Sequence, residues 1–172
     1  MHSTMAARGE HHGNEHARWR DWRKDLRDEY KAFSIVRNPW ARVVSRYIFS
    51  GLMEKKDRSF REFLAERHVY GDLEFFWHRA VRGWYQQKDY VTDESGALRC
   101  DILRLATDDV QRYFELKKPL LIRNISNKDG KDYRESYSPE EYDIVADWYH
   151  QDIEYFGFTF DGDATKNIWT PT

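Results

Sequence analysis

Apolar residues in this chain fall into short runs and helical stripes set among densely charged segments, and no stretch approaches the ~18 consecutive apolar residues of a membrane span. The run Phe33-Ser34-Ile35-Val36 is apolar and rich in β-branched residues, which predicts an internal strand. Asn38 and Pro39 follow, a side-chain cap and a fixed φ that predict a helix beginning at Pro39. Along that helix Val43, Val44, Tyr47 and Ile48 turn toward a core. Asn38, Arg42, Ser45 and Phe49, spaced by four, three and four, line the other face.

The remaining pattern extends this unit. Trp19, Trp22 and Leu26 form a thin stripe that predicts a helix from Arg18 to Tyr30. Phe60–Ala65 and Gly71–Trp84 read as further helices, Asp93-Glu94-Ser95-Gly96 as a turn, Leu98–Leu105 as a strand and Asp108–Leu116 as a helix. Pro119–Ile122 is a short strand candidate. Ser138-Pro139-Glu140-Glu141 is a capping box with Pro at the first helical position, and Tyr142, Val145, Tyr149 and Ile153 continue it as one helix. Residues 1–14 are polar, His-rich and aperiodic and read as a tail or remnant; 15–160 form the domain, and 161–172 read as a C-terminal tail. The fold class expected is α/β, a small mainly parallel sheet flanked by helices.

Composition narrows the function classes. The 172 residues suit one domain. A net charge of −2 argues against a nucleic-acid protein, so any phosphate binding must be local. Seven Trp, eleven Tyr and ten Phe supply an aromatic core or a stacking surface. The single cysteine, Cys100, excludes an internal disulfide and suits a buried thiol. No apolar signal segment opens the chain, which reads as cytoplasmic.

The chemistry gathers at Arg37. Placed between a strand's end and a helix N-terminus, its guanidinium can grip phosphate oxygens in a fork where the helix dipole also favours negative charge. The same spacing equally suits two surface arginines beside a well-capped helix.

Arg37-Asn38-Pro39-x-x-Arg42-x-x-Ser45-x-Tyr47 after an apolar strand resembles the 3′-phosphate-binding motif of PAPS-dependent sulfotransferases, especially the heparan 2-O- and chondroitin-type carbohydrate branch and its bacterial relatives. Gln87–Gly96, Cys100–Leu105, Asn124–Ser126, Tyr133–Tyr137 and Asp152–Phe158 resemble later segments of that family in order. The resemblance implies a P-loop nucleotide-kinase-like sulfotransferase fold and sulfuryl transfer from PAPS to a hydroxyl-bearing acceptor, a glycan, without a metal. It implies that Arg37 and Ser45 bind the 3′-phosphate, with Arg42 and Asn38 supporting them and Lys128, Lys131 and Arg134 contributing from a polar loop. His16, ahead of the first helix, is the implied base, and a near-neutral imidazole suits removal of a hydroxyl proton.

Two departures stand out. Only thirty-six residues precede Arg37, and they hold no strand followed by a Lys- and Gly-containing loop for the 5′-phosphosulfate, so the fold is expected to be N-terminally incomplete. Ala106 stands where the family carries an acidic residue after the Arg-x pair of its strand. The alternative is therefore a non-catalytic nucleotide- or glycan-binding remnant of that fold. Trp77, His78, Arg79, Arg82, Trp84 and Tyr85 combine aromatic faces with guanidiniums, which suits either an acidic glycan or core packing. Metal binding finds no His-Glu-x-x-His or cysteine-pair pattern.

Overall fold

A computed structural model describes residues 18–54 (51–54 as backbone), 57–66, 85–118 and 131–171. It is a mixed helix and strand structure whose described sheet has two parallel strands flanked by helices. After a 3₁₀ turn at Trp19–Asp21 come α1 (Lys24–Glu29), β1 (Phe33–Val36), α2 (Pro39–Glu54), α3 (Phe60–Ala65), α4 (Lys88–Val91), β2 (Asp101–Arg104) and α5 (Asp109–Tyr113). A 3₁₀ turn at Tyr133–Ser136 leads to α6 (Pro139–Trp148) and α7 (His150–Phe156). The strands pair Phe33 with Asp101 through Val36 with Arg104.

Ala32 and Val36 turn their carbonyls to β2, accepting from Asp101 and Leu105 at 2.9 and 3.0 Å. By the alternation of a strand, Arg37 turns its main chain to the opposite edge. The outer edge of β2 is met by the C-terminal segment, where Trp169 N–H donates to the Ile102 carbonyl at 2.8 Å. Residues 161–171 are thus packed into the domain and are no tail: Ala164 is buried, and Trp169 sits edge-on to Tyr113. The sequence of this segment is too polar to announce that packing, in which Ala164, Ile168 and Trp169 join the core beside its main-chain bonds.

Three clusters of buried residues form the core; in one of them Leu103 of β2 packs with Val110 and Phe114, beside Phe33 and Ile35 of β1. Trp40, Val43, Phe63, Leu64, Val145 and Tyr149 join α2, α3 and α6 in a second cluster rich in aromatic rings. Trp40 stacks on Tyr142 with rings 5.3 Å apart, and Phe160 meets Trp40, Tyr133, Tyr137 and Tyr142 edge-on, the offset geometries that ring quadrupoles favour. The third cluster, Val36, Val91, Ile102, Phe156 and Phe158, ties the sheet to α4 and α7. Cys100 packs against it half-buried, and desolvation with the nearby Asp101 carboxylate pushes its thiol up to about 12.

Three expected elements differ. The stripe over Arg18–Tyr30 is broken, because Trp22 and Arg23 are extended (ψ 152° and 140°) between the 3₁₀ turn and α1. Arg18 closes the turn onto Asp21 at 2.7 and 2.8 Å, and no residue of either piece is fully buried to repay a longer helix. The strand expected over Leu98–Leu105 starts at Asp101, with Leu98 bridging back to Thr92 around the Asp93–Gly96 turn, where Gly96 adopts φ 81°.

The last helix breaks at Tyr149, where ψ is 22°. The cause is a side chain inserted into the i→i−4 ladder: the Gln86 amide donates to the Trp148 carbonyl and accepts from Asp152 N–H, the two groups that would otherwise bond each other. The capping box at Ser138 forms as expected. The helix expected over 71–84 and the strand over 119–122 lie outside the described residues.

Candidate anion-binding site

Asn38 starts α2 as its pattern requires: its Oδ1 accepts from Trp40 and Ala41 N–H at 3.1 and 3.3 Å. Its Nδ2 donates to the carbonyls of Thr159 and Gly162, each at 2.8 Å, so the buried amide also straps the C-terminal segment to the helix. Asn38 supports the site as a structural element. It has no donor to spare for a ligand.

Arg42 turns inward. Its Nη1 donates to the Tyr85 carbonyl at 2.8 Å, its guanidinium lies 5.7 Å from the Tyr149 ring centre, and its charge pulls down the pKa of the buried Asp152. Burial outweighs that pull, so the Asp152 carboxyl stays above the usual range.

Arg37 turns the other way. It lines a pocket of about 210 Å³ with Ala41, Val44, Ser45 and Ile48 from α2 and Lys131, Asp132 and Tyr133 from the facing segment. Three of the expected site residues, Arg37, Ser45 and Lys131, therefore share one cavity, although Lys131 is distant in sequence. Desolvation, reinforced by repulsion from Arg42, lowers the Arg37 pKa, yet an arginine remains charged. Among the described residues no carboxylate pairs with its guanidinium. Asp132, the acid in the pocket wall, is committed elsewhere: it caps the Tyr133–Ser136 turn and pairs with Arg134 at 2.5 Å. Arg134 is held by Asp161 as well, at 2.6 Å, which removes it from the donors expected to reach a ligand.

The end of β2 supplies a feature the sequence obscured. Asp109, 1 % exposed at its side chain, accepts from Arg104 N–H at 2.9 Å, Nε at 2.7 Å and Nη2 at 2.9 Å. The guanidinium holds the Asp109 carboxyl down at about 2. Ala106 offers no acid to Arg104, and Asp109 at the start of α5 holds it instead. The signal was present as Arg104-x-x-x-x-Asp109, at a spacing the family resemblance did not suggest.

His16 and Lys128 lie outside the described residues, as do Trp77, His78, Arg79, Arg82 and Trp84. Among the described residues no group of three or more His, Cys, Asp or Glu side chains could hold a metal ion, and no helix is long and apolar enough to cross a membrane.

No family model and no solved structure matches the chain. Over 53 residues, 30% of its length, it is 45% identical to an uncharacterized protein of Archaeoglobus fulgidus, and the match spans 44% of that relative. The chain therefore aligns with less than half of the curated relative.

Proposed function

We propose that this chain binds the 3′-phosphate of a PAPS-type nucleotide in the Arg37 pocket and serves sulfuryl transfer to a carbohydrate hydroxyl, within a P-loop sulfotransferase-like fold. The observation that carries the reading is the desolvated Arg37 guanidinium, facing a pocket shared with Ser45 and Lys131 while its neighbouring acid is engaged by Arg134. Among the described residues no carboxylate answers that charge, so an anion suits the pocket, and a guanidinium fork suits phosphate. At about 210 Å³ the pocket is smaller than the ~300–1,000 Å³ that encloses a whole small-molecule ligand, so it suits one subsite, a phosphate and part of its sugar.

In the transfer, the acceptor hydroxyl oxygen attacks sulfur, the bond from sulfur to the bridging oxygen breaks, and PAP (adenosine 3′,5′-bisphosphate) leaves. His16 takes the hydroxyl proton. Arg37, Ser45 and Lys131 act on binding and orientation only. A second reading, a PAP- or glycan-binding module without turnover, draws on the lack of a Lys/Gly phosphosulfate loop pattern in these 172 residues.

Calorimetry with PAP and AMP tests the proposal. A charge-assisted phosphate contact contributes about 1.5–3 kcal/mol, so PAP binds more tightly than AMP, and Arg37→Ala weakens PAP about tenfold or more while leaving AMP nearly unchanged. Equal affinity for the two nucleotides refutes the site. A labelled-PAPS assay with glycan acceptors then separates the enzyme from the binding module.

A further inference from the structure

Gln86 and Gln87 each feed a side-chain amide into a main-chain ladder. Gln86 does so at the junction of α6 and α7. Gln87 does it at the end of β1: Arg37 N–H donates to Gln87 Oε1 at 2.9 Å, and Gln87 Nε2 donates to the Arg37 carbonyl at 2.9 Å. This closed pair sits on the β1 edge away from β2, where it satisfies the groups that another strand would have paired. Gln87 is 8% exposed and is itself fixed, since Asp152 Oδ2 accepts its main-chain N–H at 2.8 Å and Oδ1 accepts Lys88 N–H at 2.8 Å.

We infer that Gln87 is a positioning residue for anion binding: by clamping the main chain of Arg37 from the edge of β1, it aims the guanidinium into the pocket without neutralising it. The inference rests on reading that pocket as an anion site.

Other arginines of the domain show why a neutral clamp matters. Arg104 is held by Asp109, Arg134 by Asp132 and Asp161, and Arg58 by Glu66, in each case through a carboxylate that cancels the charge it orients. An ion pair on Arg37 would do the same and leave nothing for a ligand. An amide placed on its backbone fixes the direction in which the side chain leaves and keeps the full positive charge available. The acid that anchors this arrangement, Asp152, lies behind Gln87 and acts on its N–H groups.

The test uses inorganic sulfate, whose charge is constant over the pH range involved, titrated by NMR against folded full-length variants. Gln87→Met keeps the length and loses both bonds, and it weakens sulfate about five- to tenfold at about pH 7.5. Gln87→Glu is informative because a neutral carboxyl offers one acceptor and one donor, as the amide does, whereas a carboxylate offers no donor. Burial and Asp152 disfavour its ionised form, while Arg42, which faces Asp152, and Lys88, whose Nζ lies over the Tyr155 ring, favour it.

Relative to wild type at each pH, Gln87→Glu binds sulfate weakly at about pH 7.5 and recovers toward wild-type affinity by about pH 5. A carboxylate at 87 also sets a negative charge near the anion, so the recovery counts for the clamp only together with the loss in the uncharged Gln87→Met. Val145→Ala, a core truncation at a residue that does not line the pocket, controls for lost stability. The inference is overturned alone if wild type binds sulfate and Arg37→Ala does not, yet Gln87→Met binds normally, or weakens no more than Val145→Ala, or Gln87→Glu shows no recovery. A wild type that fails to bind sulfate, or an Arg37→Ala variant that binds as well as wild type, overturns the anion-site reading and this inference with it.

Discussion

Replacing Asn38 by Ala tests the claim that this residue holds the site together without touching a ligand. The substitution removes an N-cap, worth typically ~1 kcal/mol, whose Oδ1 accepts from Trp40 and Ala41 N–H at 3.1 and 3.3 Å. It also removes the Nδ2 bonds to the Thr159 and Gly162 carbonyls at 2.8 Å, each part-buried and contributing about 1 kcal/mol net. The expected loss is about 3 kcal/mol, a large part of the ~5–15 kcal/mol that holds a domain together, and corresponds to roughly 6–12 °C in Tm. Asn38→Ser separates the two parts, because serine caps a helix but cannot reach the C-terminal carbonyls; about 2 kcal/mol should be lost. Urea unfolding followed by tryptophan fluorescence measures both variants, with PAP titration of the folded protein in parallel. PAP affinity should change by less than about threefold. Asn38→Ala within ~0.5 kcal/mol of wild type, or a tenfold loss of PAP affinity without lost stability, would refute the structural role and make Asn38 a ligand.

Three further outcomes are expected. Asp109 sits near 2 when folded and near the ordinary ~3.9 when unfolded, so its ~2 kcal/mol contribution is complete above about pH 4 and lost as pH falls through about 2; acid unfolding of Asp109→Asn should lack that component. Gly157 adopts φ 68° at the end of α7, and a Cβ there would lie 2.4 Å from Thr165 Oγ1, so Gly157→Ala should cost at least ~2 kcal/mol in thermal denaturation. If transfer from PAPS is detected, His16→Ala should lower kcat about a hundredfold with PAP affinity little changed, and full activity in that variant would move the base elsewhere.

Local structure was legible wherever a side chain acts on its own neighbourhood. The Asn38-Pro39 start of α2, the capping box at Ser138 and the Asp93–Gly96 turn all follow from residues that satisfy nearby N–H groups. The misses are long-range. Nothing in the stripe Tyr142, Val145, Tyr149, Ile153 announces that Gln86 will open the ladder between Trp148 and Asp152, because the inserted amide comes from a remote loop. The same holds for the packing of 161–171, which depends on Asn38 and Ile102 as partners. Of the candidate site, the pairing of Arg37 with Ser45 comes from the family resemblance. Helix periodicity sets Ser45 with Arg42 and turns Val44 and Ile48 to a core, whereas Val44 and Ile48 line the pocket beside Ser45. The opposed direction of Arg42 depends on Tyr85, Tyr149 and Asp152, none of them within its own segment.

Under the proposed function, that divergence of Arg37 and Arg42 makes one short motif both anchor and receptor. Moving a guanidinium out of water costs several kcal/mol unless charge or hydrogen bonds replace what is lost. For Arg42 the replacement is internal: a carbonyl, an aromatic face and a buried carboxylate. Its charge in turn helps Asp152 hold the N–H groups that fix Gln87, and Gln87 fixes the main chain of Arg37. The inward arginine is therefore part of what aims the outward one. Arg37 receives direction from this chain of contacts but, among the described residues, no carboxylate partner, since Asp132 is turned to Arg134. Its repulsion from Arg42 adds to the imbalance, so the like charge that helps build the pocket also makes it more favourable for an anion. Neutralising Arg42 while leaving its bond to Tyr85 unreplaced would lose the aim along with the repulsion, which is why the two arginines act as a unit and not as two additive contacts.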